Sequence, residues 1–160
     1  MPRGREYRRK PRRTGPKLLG LDLGERRVGV AVSDDLGIIA SPLRIIDLKH
    51  DTLADVAAVA TDTGVDGIVV GLPIGMGGSE GHQARETRAL AAELGQLVTV
   101  PIVFWDERLT SAIADRALAN AGRSSRERRV QKDAIAAAVL LQSYLDAHPW
   151  SPSPDGSQPQ

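Results

Sequence analysis

The sequence predicts one α/β domain, a five-stranded mixed sheet flanked by helices, and three observations predict it. Strand-like apolar runs joined by short turns open the chain. From residue 52 onward, helical spacing alternates with strand-length apolar runs. The length, 160 residues, fits a single domain.

The elements follow in order. Residues 18–24 are an apolar run ending in glycine, and 28–33 form a second strand that pairs back across a turn at 25–27. A third run, 36–46, is broken at Pro42. Residues 52–61 place Leu53, Val56, Ala57 and Ala60 at helical spacing, with Asp51 as N-cap and Gly64 as stop. Residues 66–72 are continuously apolar, as a buried parallel strand requires. A glycine-rich loop, 71–78, leads to a helix over 79–97 with Ala84, Leu90, Ala91 and Leu94 inward. Residues 101–105 form the last strand, and 110–121 a helix stopped by Gly122. Ser124 and Glu127 make a capping box, so a final helix starts near Ser125 and runs to about Ala147. Hairpins first and β-α-β-α after give the mixed sheet.

Composition narrows the function classes. Aromatics are 3 % of the chain, so Val, Ile, Leu and Ala must fill the core. The absence of cysteine excludes disulfides and thiolate metal sites, and three scattered histidines argue against zinc. No run is long enough for a transmembrane helix and no signal peptide follows the basic start, so the expected address is the cytoplasm with no membrane partner. The net charge of +1 hides an asymmetry, because residues 1–17 carry eight basic side chains against Glu6 alone. That arm, with its prolines and glycines, is expected to be disordered; it either binds phosphates or serves as a solubilising tail. The domain itself is expected over 18–147, followed by a Pro/Ser-rich tail, 148–160.

Three acidic positions stand out. Asp22 lies inside an apolar strand, on the face shared with Gly20 and Gly24, where a cation or phosphate has room to approach; alternatively it caps the following turn. Asp106 and Glu107 follow the last strand, where ligands of parallel sheets collect, although a solvated loop would also place them there. Asp133 lies on or beside the apolar stripe of Val130, Ala134, Ala137, Leu141 and Tyr144, and small alanines let that helix approach the sheet. A carboxylate favoured by the helix dipole is the competing explanation, weakened because Asp133 lies about two turns inside. Converging carboxylates would repel without a cation, and oxygen-only ligation suits Mg²⁺ or Mn²⁺. Two such ions about 4 Å apart can activate water against a phosphodiester.

These residues resemble the YqgF family, also called RuvX, whose members are described as pre-16S rRNA nucleases or Holliday junction resolvases. Four segments carry the resemblance: 21–24 with 27–34, 68–73 with 78–81, 106–111, and Asp133 with 136–145. It implies a ribonuclease H-like three-layer fold. It implies that Asp22, Glu107 and Asp133 are the catalytic, metal-binding acids, with Asp106 as understudy. It also implies trimming of the 5′ end of pre-16S ribosomal RNA. Gly75 and Gly77 stand where relatives often carry larger polar residues, and Ile113 where an acid is frequent.

Basic residues surround the expected site. Arg123, Arg126, Arg128, Arg129 and Lys132 form a phosphate track toward Asp133 or a solvated helix face, and Arg108 either steadies a phosphate or pairs with Asp106 or Glu107. With few aromatics, recognition of nucleic acid should rest on shape rather than stacked bases. The partner is then a ribosomal RNA precursor or, in a resolvase, branched DNA cut by a homodimer. A non-catalytic RNA-binding assembly factor is a third reading. An ATP-binding domain is a fourth, disfavoured because the chain is too short for a second lobe.

Overall fold

A computed structural model of the chain describes residues 15–75, 77–109 and 125–149, with backbone only at 109 and 125–131. The expected helix over 110–121, its stop at Gly122, the Ser124–Glu127 box and most of both terminal segments lie outside the described residues. Strands β1 (Leu18–Leu23), β2 (Arg27–Ser33) and β3 (Ala40–Asp47) come first. Helix α1 (Leu53–Thr63), strand β4 (Gly67–Leu72), helix α2 (His82–Gly95) and strand β5 (Ile102–Asp106) follow. A 3-10 turn (Glu107–Leu109) leaves β5, and helix α3 (Ser125–Ala147) closes the domain.

The sheet order is β3-β2-β1-β4-β5, with β1–β2 and β2–β3 antiparallel and β1–β4 and β4–β5 parallel. Side-chain alternation divides the core. Leu19, Leu21, Val28, Val30, Ile68 and Val70 pack with α1 and α2, while Ala31 and Val69 pack with Ala137, Ala138 and Leu141 of α3. Every residue of β4 is buried, as suits a strand covered on both faces. Among the described residues no helix is long and apolar enough to cross a membrane.

Several expected boundaries move. Residues 36–39 are a turn rather than strand, because the Asp34 carboxylate accepts from the Ile38 and Ile39 N–H groups and Gly37 takes φ 66°. Strand β3 runs through Pro42 instead of breaking there. It is an edge strand, and a register shift opposite Val30 and Ala31 accommodates the ring. Thr52, not Asp51, caps α1, its backbone N–H donating to the Asp55 carboxylate at 2.7 Å. Helix α2 starts at His82, since Ser79 is engaged in the preceding loop, where its carbonyl accepts from Gly75 N–H. Within α2, Thr87 is buried and Leu90 only partly so. Asp106 still belongs to β5. Lys17 is tied to the domain: its N–H donates to the Asp66 carboxylate, and its carbonyl accepts from Asp66 N–H.

Candidate functional site

Alternation along β1 sends Leu19, Leu21 and Leu23 toward α1 and α2 and leaves Gly20 and Asp22 beneath α3. The helix lies very close there. A methyl group on Gly20 would stand 2.7 Å from Leu141 Cβ and 3.0 Å from the Ala137 carbonyl oxygen. One on Gly29 would overlap the Asp133 carbonyl. Gly29 is the cross-strand partner of Asp22, so the seat that it offers α3 also sets Asp133 beside Asp22.

Glu107 arrives from the opposite side. Leu21 pairs with Val70, and Gly71 pairs with Trp105, so a bare glycine lies between Asp22 and the end of β5. A methyl group there would overlap Glu107 Oε1 and come within 2.9 Å of its Cγ. Glu107 thus folds back across β4, and its carboxyl donates a hydrogen bond to the Asp22 carboxylate.

The electrostatics follow from this crowding. Burial pushes Glu107 up, and the Asp22 charge, the shared hydrogen bond and Asp106 push it further, to about 7. Asp22 is also raised, chiefly by burial, with the Glu107 hydrogen bond opposing and the Asp133 charge adding. Burial raises Asp133 against the pull of Arg27 and Lys132. Arg27 Nε lies 3.3 Å from Asp133 Oδ2. A proton between Glu107 and Asp22 partly relieves the repulsion of three adjacent acids.

Asp106 faces elsewhere. Its Oδ2 accepts from Arg108 Nε at 2.8 Å and Nη2 at 2.6 Å, and its Oδ1 accepts from the Arg108 backbone N–H at 2.9 Å. That guanidinium holds Asp106 below the usual carboxylate range. Of the two adjacent acids, Glu107 faces Asp22 and Asp106 faces Arg108. Arg108 itself is exposed, with Nη1 near Gly78 of the glycine-rich loop. Lys132 is exposed and close enough to act on Asp133. Arg123 and the side chains of Arg126, Arg128 and Arg129 lie outside the described residues.

Sequence reasoning missed three contributors. Arg27 reads from the sequence as a turn residue and as the start of one family-like segment, with no role at the site, although it begins the strand that carries Gly29. Gly29 and Gly71 are needed for what they lack, and small residues inside otherwise branched strands were the available signal. A separate surface group, Glu25, His82 and Glu86, also escaped notice. Its ligand atoms lie within 4.8 Å of one another, with His82 Nε2 2.8 Å from Glu86 Oε1. Glu25 and His82 are exposed and Glu86 partly so.

Comparison with known proteins gives a consistent picture. The family model RuvX, described as Holliday junction resolvase, matches residues 16–147. A protein of Paracoccus denitrificans is 48 % identical over 138 residues, covering 84 % of this chain and 85 % of its own length. One from Geobacillus kaustophilus is 44 % identical over 135 residues, covering 82 % and 98 %. Both carry the name “Putative pre-16S rRNA nuclease”. Among solved structures, T. thermophilus RuvC in complex with Holliday junction substrate aligns with TM-score 0.53 at 16 % identity, over 83 % of this chain and 95 % of that one. The fowlpox virus resolvase bound to junction DNA aligns with TM-score 0.53 at 10 % identity, over 82 % and 97 %. At such identities the structural likeness establishes the fold.

Proposed function

This chain belongs to the RuvX family of nucleases, and on that premise we propose that it hydrolyses phosphodiester bonds with divalent cations held by Asp22, Glu107 and Asp133, trimming the 5′ end of pre-16S ribosomal RNA. The observation that carries the reading is the packing of Glu107 across Gly71 toward Asp22, with Asp133 set beside them over Gly29. Acids so crowded repel one another, a cation among them would relieve that repulsion, and all the donors are oxygens, as Mg²⁺ and Mn²⁺ prefer. When bound, such ions activate a water toward phosphorus and neutralise charge on the leaving oxygen.

The chain's own residues supply the rest. Asp22 sits on a central strand and fixes one side of the site. Glu107 gives up its proton to become a second charged ligand, and Asp133 closes the third side from α3. Lys132 and Arg108 offer positive charge to flanking phosphates, and Arg123, Arg126, Arg128 and Arg129 extend that track. Precursor trimming would place this work in the cytoplasm.

The test is purified protein with a pre-16S fragment and Mg²⁺ or Mn²⁺, beside an Asp22→Asn control. Cleavage by the wild type alone supports the reading; equal cleavage by both would end it. The family description favours a second substrate, a four-way DNA junction. Faster cutting of the junction than of the precursor, by a homodimer in sedimentation, would make that the principal activity.

A further inference from the structure

Arg27 is the counterion of Asp133, and the way it is held differs from the other paired arginines of the site region. Arg108 grips Asp106 through its backbone N–H, Nε and Nη2. Arg88 grips Glu80 through Nε and Nη2. Those are closed forks, each fixed by several hydrogen bonds. Arg27 makes one close ion pair, Nε to Asp133 Oδ2 at 3.3 Å, with its cross-strand partner Asp47 within electrostatic reach, and among the described residues no side-chain hydrogen bond fixes it. Its side chain is 39 % exposed and that of Asp133 29 %, so solvent and ligands reach both. Arg27 also begins β2, two residues before Gly29, on which the Asp133 backbone rests. It therefore stands at the exposed edge of the acidic group, beside Asp133.

We propose that Arg27 exchanges partners: without metal it neutralises Asp133, and when a divalent cation takes that carboxylate, Arg27 turns to a phosphate of the substrate strand. This rests on the reading of Asp133 as a metal ligand. The argument is one of charge. With Asp133 committed to a cation, the guanidinium loses its nearest counterion beside a site that has become more positive, and Asp47 across the strand pair is left as a more distant one. A phosphate oxygen is the acceptor that a freed fork fits best. Conversely, a strand that engages Arg27 releases Asp133 to the metal. The two ligands thus help each other through one side chain, which is a coupling free energy between sites. Arg27 is a positioning residue toward the metal and a binding residue toward the strand.

The full chain is titrated with Ca²⁺ by calorimetry, and RNA affinity is measured by anisotropy with and without Ca²⁺. The protein pairs are wild type, Arg27→Gln, Arg27→Lys and Asp133→Asn. In wild type, Ca²⁺ should tighten RNA binding about tenfold. Arg27→Gln should bind Ca²⁺ several-fold tighter than wild type without RNA, because its competitor is gone, yet gain little RNA affinity from the ion. Arg27→Lys keeps the charge and should restore most of the coupling. If Asp133→Asn loses Ca²⁺ binding while Arg27→Gln matches wild type in both titrations, Asp133 is a ligand and the exchange is wrong. If Asp133→Asn binds Ca²⁺ as wild type does, the metal reading fails and takes the exchange with it.

Discussion

Glu107 is the side chain whose protonation state depends most on what the site holds. Its carboxyl titrates near 7 in the folded chain and near 4.5 when unfolded. The folded protein therefore keeps a proton that the unfolded chain releases, so this group's contribution to stability falls as pH rises from about 4.5 through 7. Above that window the loss reaches up to about 3 kcal/mol. Chemical denaturation in EDTA at pH 5 and pH 8 should show it, with Glu107→Gln losing less stability between the two than wild type. An identical pH dependence in both proteins would mean that Glu107 is not crowded by Asp22. On the proposed metal site a cation would have to displace that proton, so Mg²⁺ should stabilise the wild type more at pH 8 than at pH 6 in thermal unfolding. Asp22→Asn should lower cleavage by roughly a hundredfold or more, because even residues that merely orient metal ligands are worth 10- to 100-fold. Asp106→Asn should cost far less, since Asp106 serves Arg108.

At the scale of elements, two glycines should fail differently. At Gly29 a new methyl group meets helix backbone, which cannot step aside, so Gly29→Ala must push α3 off β2. Overpacking of that kind costs about 1–3 kcal/mol and would carry Asp133 away with the helix. Stability and cleavage should both fall. At Gly71 the methyl group meets the Glu107 side chain and the tip of Leu140, both able to rotate. Gly71→Ala should unfold within about 1 kcal/mol of wild type yet lose most of its activity, because Glu107 can no longer cross β4. Equal loss of stability in the two variants, by urea unfolding, would contradict this account of the packing. The strands and helices that position these glycines were legible from periodicity. Their boundaries at 36–39 and 79–81 were not, because apolar Leu36, Ile38 and Ile39 look like strand although side-chain and backbone hydrogen bonds hold them in an exposed turn.

Across the whole molecule, the topology and the nearness of Asp22, Glu107 and Asp133 were legible in the sequence, but not which neighbour each adjacent acid faces. Which of Asp106 and Glu107 faces Asp22 depends on where β5 ends and on the empty space at Gly71, and neither is a property of the two residues alone. Arg27 stayed hidden for the same reason: its partner lies 106 positions away. On the proposed phosphate track, Lys132→Ala should reduce the slope of log affinity against log salt by about one, measured by anisotropy. The surface group of Glu25, His82 and Glu86 offers cations a rival location on this same chain. Anomalous diffraction from a crystal soaked in Mn²⁺ therefore tests the central claim most directly. Peaks enclosed by Asp22, Glu107 and Asp133 are the expected result; peaks confined to Glu25, His82 and Glu86, with none among the three clustered acids, would contradict it.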